Sequence, residues 1–434
     1  MANLAEVSVR DFRAIKSADI RLDGITVVSG INGCGKSTLS KLLYYVFRNA
    51  NSYEELILDY TNGRLRPYVN VLDQIRSLLY ILGDSNALNH KLTLYRRFDL
   101  LSLDEAGTFL ERAKELCARL LELEMNPPAV KGPVISDRFL SILRSTLKIR
   151  DDRSLKTMFD ELLQHIKECF TEAETLLAER PYSFLKSSLN SVFDCDLSKK
   201  IVVKEFGETI FGEGLANVPL PHYFQKVAYV DTPMAIGLNS RPGLPSYWED
   251  LNDLLKNPPK KGYKWSISNI IKKEIINGDV SYDDDLYSGG FRYRRADGEE
   301  FDLTDCATGI KAFAMLQLLL KNQFLDENSM MIIDEPEAHL HPQWIVEYAR
   351  ILVLLHKRIG VKFFIASHST DMVSALRYIA EKEKCLSKLL FYAAENAGPD
   401  TYVFKNLGHD IEPIFESFNK SFESLDKYAG GKEV

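Results

Sequence analysis

Between residues 5 and 28 apolar and polar positions alternate, with Val7 and Val9 on one side of the polar pair Lys16-Ser17 and Ile20 and Leu22 on the other. A period of two marks half-buried strands and a polar pair marks a turn. The pattern therefore predicts two short strands feeding a third, Ile25-Thr26-Val27-Val28. Beyond a glycine-rich interruption the period changes: Leu39, Leu42, Leu43 and Val46 recur at helical spacing, predicting a helix that covers the sheet. From about residue 52 to 198 helical periodicity dominates. Phe109, Ala113, Leu116, Leu120 and Leu123 make one apolar stripe, and Phe159, Leu163, Ile166, Phe170, Ala173 and Leu177 another. Asn126-Pro127-Pro128 through Gly132-Pro133 separates two helical hairpins. The stripes read as the core of a helical insertion, with a partner or dimer surface as the alternative.

Strand patterns return at Ile201-Val202-Val203 and from Phe224 to Val230. A Pro- and Gly-containing segment from Asn239 to Pro259 encloses a short helix around Trp248 to Leu255, and Ile267, Ile270, Ile271 and Ile275 predict another helix. Gly278 to Leu303 reads as antiparallel strands with Asp297-Gly298 at a hairpin turn. Arg292, Arg294 and Arg295 in that hairpin are either a phosphate-contacting edge or a solvated strand face. After residue 388, Leu389 to Tyr392 and Tyr402 to Phe404 are strand-like, and Ile411, Ile414, Phe415 and Phe418 predict a helical tail.

The interruption after the third strand is Gly30-Ile31-Asn32-Gly33-Cys34-Gly35-Lys36-Ser37-Thr38. A strand, a glycine-rich loop of spacing G-x-x-x-x-G-K-[ST] and a helix together form a phosphate cradle. The glycines let backbone N–H groups turn inward, and the helix N-terminus adds partial positive charge. Lys36 would reach the β- and γ-phosphates, and Ser37 would ligate Mg²⁺. A second stretch, Met330-Met331-Ile332-Ile333-Asp334-Glu335-Pro336-Glu337-Ala338-His339-Leu340-His341-Pro342, has the form of a buried strand delivering acids to a sheet's carboxyl edge. Asp334 would hold Mg²⁺ and Glu335 would act as general base toward water. A third, Thr304 to Lys311, opens the apolar helix containing Phe313, Met315 and Leu316; its small hydroxyl and glycine make an anion-binding end or a plain cap. A fourth, Phe363-Phe364-Ile365-Ala366-Ser367-His368, ends a further buried strand at a histidine suited to sensing a γ-phosphate.

Composition narrows the setting. At 434 residues with 45% hydrophobic content the chain can build two or three domains with real cores. No stretch approaches the roughly 18 to 20 apolar residues of a membrane span, and the first residues lack the pattern of a secretory signal. Cys34, Cys117, Cys169, Cys195, Cys306 and Cys385 lack C-x-x-C spacing, which argues against disulfides and zinc and fits a cytoplasmic location. A net charge of −7 disfavours coating nucleic acid by bulk positive charge.

These four stretches, in this order, resemble the ABC-type ATPase heads of the RecF, SMC and OLD group, as does the opening Val9-Arg10-Asp11-Phe12-Arg13-Ala14-Ile15. The form from Asp334 to Pro342 is similar to that of compact ATPases in OLD-like and Septu-like phage-defence operons. The resemblance implies an α/β fold: a P-loop ABC-type head, with a mixed sheet flanked by helices, interrupted by an all-helical domain. The head would comprise residues 1–50 and 200–434 and the insertion residues 51–199. It implies ATP and Mg²⁺ as ligands, with Gly30, Asn32, Gly33, Cys34, Gly35, Lys36, Ser37 and Thr38 around the phosphates. The signature segment falls on Ala307 to Lys311, so that Thr308, Gly309 and Lys311 would meet the γ-phosphate bound to the opposite subunit of a homodimer or higher homo-oligomer. Glu335 and His368 would be catalytic, and Ser37 and Asp334 the metal ligands. The D-loop falls on His339-Leu340-His341, with His341 where Asp is usual. Asp231 or Thr232 stands where the Q-loop Gln is expected, and Ala307 where Ser is common; these departures imply slow turnover. No paired acidic nuclease motif follows His368, so the implied role is the sensor or regulatory subunit of an antiviral system acting on a separate nuclease or toxin effector, with no membrane partner. A RecF-like DNA-repair ATPase that clamps nucleic acid is the alternative.

Overall fold

The computed structural model describes residues 4–81, 102–126, 135–150, 153–237, 246–259, 265–284, 289–338 and 340–416. His339, Phe418 and residues 127–134 and 238–245, on which parts of the expectations above fall, lie outside them. The chain divides into two compact units, residues 1–51 with 186–434, and residues 52–185.

The larger unit is built on one sheet of ten strands among the described residues. These are β1 (Ala5–Phe12), β2 (Ile15–Arg21), β3 (Ile25–Ser29), β4 (Ile201–Glu205), β5 (Glu208–Phe211), β6 (Lys226–Val230), β10 (Ser329–Asp334), β11 (Lys362–Ser367), β12 (Leu389–Gly398) and β13 (Thr401–Gly408). A separate three-stranded antiparallel sheet holds β7 (Gly278–Asp283), β8 (Gly290–Arg295) and β9 (Glu300–Asp302). The large sheet runs β5-β4-β1-β2-β13-β12-β3-β11-β10-β6. From β12 to β6 all neighbours are parallel, whereas β5-β4-β1-β2 is antiparallel. Every residue of β3, β10 and β11 is buried, as expected of parallel strands covered on both faces. The half-buried antiparallel strands keep the alternation seen in the sequence, β4 reading buried and half-buried in turn.

The turn between β1 and β2 falls at Arg13-Ala14, not at Lys16-Ser17. Lys16 and Ser17 lie inside β2, with Ser17 paired to Arg10. Ile15, Ala18 and Ile20 face the core while Lys16 and Asp19 face solvent, so two adjacent polar residues mimicked a turn within a strand. Among the described residues the helices of this unit include α1 (Lys36–Asn51), α7 (Ser246–Lys256), α8 (Trp265–Ile270), α9 (Thr308–Lys321), α10 (Pro342–Ile359) and α11 (Thr370–Lys382). The isoleucine pattern expected to make one helix splits into α8 and a single π turn, Ile271–Ile275, that still buries Ile267 and Ile271.

The second unit contains α2 (Tyr53–Ile81), α3 (Ala106–Met125), α4 (Asp137–Leu147) and α5 (Leu155–Glu179); its boundary falls within α6 (Tyr182–Phe193). Phe109, Ala113, Leu116 and Leu120 pack with Phe159, Ile166 and Phe170 in this unit's own core, so both stripes face inward. Among the described residues no helix is long and apolar enough to cross a membrane.

Candidate functional site

The carboxyl ends of β3, β11 and β10 lie side by side: Ser29 pairs with Ser367, and Ala366 with Asp334. The chain leaves β3 as the glycine loop and enters α1 at Lys36. At Gly35 the backbone has φ +103°, and a Cβ would come within 2.6 Å of Ile15, so only glycine fits the loop's last step before the helix. Lys36 is buried, and its Nζ donates to the carbonyls of Gly30 (2.8 Å) and Ile31 (3.1 Å). Ser37 and Asn32 are exposed. Cys34 is fully buried, and burial pushes its thiol pKa up; it does not line the cleft beside the loop.

A cleft of about 320 Å³ is lined by Arg13, Ala14, Asn32, Gly33, Gly35, Lys36, Ser37, Thr38 and Glu335. It joins the phosphate loop to the acid after β10, from the far end of the sequence. Arg13 and Ala14 were not expected here. Arg13 sits at φ +53° in the tight turn after β1, with its guanidinium 5.4 Å from the rings of Phe12 and Phe193. The short spacing between the two strand patterns was the available signal, obscured by placing the turn three residues late.

Asp334 is buried, and burial, the largest influence, raises its carboxyl pKa. It accepts hydrogen bonds from Tyr229 Oη (3.0 Å) and, weakly, Ser40 Oγ (3.4 Å), with Ser37 also lowering its pKa. The Tyr229 phenol is in turn pushed far up by burial and by the Asp334 charge. Glu335 is held at φ +51°, a conformation costing a non-glycine residue about 1–2 kcal/mol. Its N–H donates to Ala366 O (2.8 Å) and its carbonyl accepts from Ala338 N (2.9 Å), which fixes the strained turn. Its side chain is 42% exposed, toward the cleft. His368 Nδ1 stands 3.4 Å from Oε1 of both Glu335 and Glu337. Glu337 was not expected in the site. It is buried and accepts from Ser367 Oγ (2.9 Å) and His368 N (2.9 Å).

Other expected residues do not line this cleft. Thr308 and Lys311 approach Met234 Sδ (3.9 Å each), and the Lys311 ammonium donates to Thr304 O at 2.6 Å. Gly309 lies beneath the indole of Trp344, where a Cβ would come within 2.2 Å of the ring. Ala307 makes no side-chain cap of α9. Asp231 accepts from Tyr247 Oη (2.9 Å) and Trp248 Nε1 (2.7 Å), and Thr232 Oγ1 accepts from Met234 N (3.2 Å). His341 caps α10, accepting from Gln343 N at 3.4 Å.

A phosphate loop opening on α1, an acid pair ending β10, a histidine ending β11 and a mixed sheet flanked by helices have the form of a P-loop ATPase. Residues 3–210 match the family model described as "AAA ATPase domain", and residues 227–374 the one described as "AAA domain, putative AbiEii toxin, Type IV TA system". None of the curated proteins matches the chain. Among solved structures, the Smc head domain with an extended coiled coil bound to the C-terminal domain of ScpA, from Pyrococcus furiosus, is 12% identical, with TM-score 0.35 over 97% of this chain and 98% of that one. The SMC head domain from Thermotoga maritima is 9% identical, with TM-score 0.36 over 93% and 98%.

Proposed function

We propose that the chain binds ATP with Mg²⁺, hydrolyses it slowly, and closes with a second copy over the nucleotide. The observation that carries this reading is the meeting of the phosphate loop and Glu335 in one cleft, with Asp334 buried next to Glu335 in the chain and His368 Nδ1 3.4 Å from the Glu335 carboxylate. A buried carboxylate whose charge is disfavoured by burial, next to an exposed serine hydroxyl, fits a divalent cation. Ser37 and Asp334 would hold Mg²⁺, which when bound neutralises phosphate charge. Lys36 and the loop N–H groups would bind the phosphates, Glu335 would take the proton of the attacking water, and His368 would contact the terminal phosphate. Thr308, Gly309 and Lys311, outside the cleft, would serve the nucleotide of the opposite subunit. The helical insertion, residues 51–199 between head segments 1–50 and 200–434, is the element proposed to engage a partner.

The proposed setting is a cytoplasmic antiviral system in which the nucleotide state of the dimer governs a separate nuclease or toxin. It is supported by the Asp334–Pro342 sequence form and by the toxin–antitoxin wording of the family model over residues 227–374. The alternative, a clamp on nucleic acid, loses one support. Arg292, Arg294 and Arg295 are engaged with Asp302, Glu300 and Asp297, as a solvated strand face would be.

The test is Lys36→Ala. Titration with a fluorescent ATP analogue should show affinity falling at least about 100-fold while the circular dichroism spectrum is kept, since removing a charged hydrogen-bond donor from a buried phosphate site costs about 3 kcal/mol or more. Retained tight binding would refute the assignment.

A further inference from the structure

Two polar atoms beside the cleft are buried without a hydrogen bond of normal geometry: His368 Nδ1 and Glu337 Oε2. Such atoms are rare in native proteins and need an explanation. Glu337 has left the strand and belongs to the tight turn after Asp334, with Leu340 N donating to its carbonyl (3.1 Å). Its Oε1 gathers the Ser367 hydroxyl and the His368 amide, and Ser367 Oγ in turn accepts from Ser369 N at 3.1 Å. A single buried carboxylate thus ties the Asp334 turn to the turn that carries His368. The same Oε1 lies 3.4 Å from His368 Nδ1, as does Oε1 of the proposed base Glu335. Both distances exceed a hydrogen bond by a few tenths of an ångström, as is common for catalytic groups before substrate binds. The ring's other nitrogen, Nε2, has no hydrogen bond among the described residues.

We propose that Glu337 is a positioning residue for ATP hydrolysis: it keeps the proton of His368 on Nδ1, between two carboxylates, and so reserves Nε2 for the nucleotide's terminal phosphate. Carboxylates only accept, so a neutral ring set between two of them carries its hydrogen on Nδ1. Fixing a histidine's tautomer from behind with a carboxylate is the arrangement that orients histidines in metal sites and triads. A carboxylate that merely held the turn would need only its two acceptor bonds, which an amide oxygen supplies equally well. Charge is what Glu337 adds.

This rests on the ATPase reading, and the experiment separates the two. Glu337→Gln keeps an acceptor for Ser367 and the His368 amide but loses the charge. ATP-analogue affinity and KM should stay within about threefold, while kcat falls about 10- to 100-fold, the usual cost of losing a carboxylate behind a functional histidine. In a His368→Gln background the same change should cost less than about threefold, because the ring it positions is gone. Nitrogen NMR of the imidazoles, with His368 assigned by difference against His368→Gln, should show the Nδ1–H tautomer in the wild type and a shifted pattern in Glu337→Gln. A kcat within threefold of wild type, a loss that persists unchanged without His368, or unaltered His368 nitrogen shifts overturns the proposal. If the wild type binds ATP but turns none over, the hydrolysis reading fails, and the nitrogen spectra alone decide whether Glu337 sets the tautomer.

Discussion

Gly309 offers a test in which two ordinary effects oppose one another. It is the second residue of α9, and replacing a helical glycine by alanine stabilises by up to about 1 kcal/mol, less near a terminus. Here the added Cβ would stand 2.2 Å from Cε3 and 2.3 Å from Cζ3 of Trp344, whereas carbons rest at about 3.5–4.0 Å. The indole must therefore move by more than an ångström. It packs edge-on against Phe313 at 5.7 Å and lies half-buried on the main core. Losing an aromatic pair costs about 0.5–1.5 kcal/mol, and overpacking in general about 1–3 kcal/mol. The packing loss outweighs the propensity gain by about 1–2 kcal/mol. At the usual scale of about 2–4 °C per kcal/mol for a unit of this size, Gly309→Ala should melt about 2–8 °C lower without nucleotide, by calorimetry. With Trp344→Ala present the added methyl should cost nothing further. A melting temperature at or above wild type would refute the reasoning, leaving closeness to a second subunit as the reason for glycine.

Two further outcomes test the cleft. Glu335→Gln should retain ATP binding, slow phosphate release about 100-fold or more, and accumulate a nucleotide-bound dimer on size exclusion; unchanged turnover would remove Glu335 as the base. Asp334→Asn should raise the stability of the nucleotide-free protein at neutral pH. Burial lifts the carboxyl pKa in the folded state, so the penalty for its charge is present above that pKa and vanishes as pH falls below the usual carboxylate range. The melting-temperature gain of the variant should therefore shrink on acidification, and a variant less stable than wild type at pH 7 would contradict this sign.

The sequence makes the loop and the acid strand legible because each needs a fixed order of residue types within about ten positions. What it hides is pairing between distant segments. Tyr229 beside Asp334, Trp344 over Gly309 and Glu337 against His368 join positions 105, 35 and 31 residues apart. No local period marks which phenol or carboxylate will arrive. Arg13 was hidden differently: its place in the cleft follows from a left-handed turn, and the polar pair three residues further on was the stronger turn signal. The Ile271–Ile275 π turn was invisible because one inserted residue leaves an isoleucine pattern looking helical.

The position of β3 also sets a timetable. Its sheet neighbours are β11 and β12, which begin at residues 362 and 389. A ribosome adding about 5–20 residues per second needs on the order of tens of seconds to make them after β3 has emerged. Throughout that interval an apolar strand whose side chains all end up buried has no partner, while the helical unit of residues 52–185 is complete in sequence and contains its own core. Local helical contacts form fast and long-range parallel pairing forms slowly. The order of birth therefore runs from the insertion to the head, and the cleft beside Glu335 is among the last features to exist. Translation arrested before residue 362 would yield a folded helical unit joined to a phosphate loop whose strand, β3, has neither of its sheet neighbours.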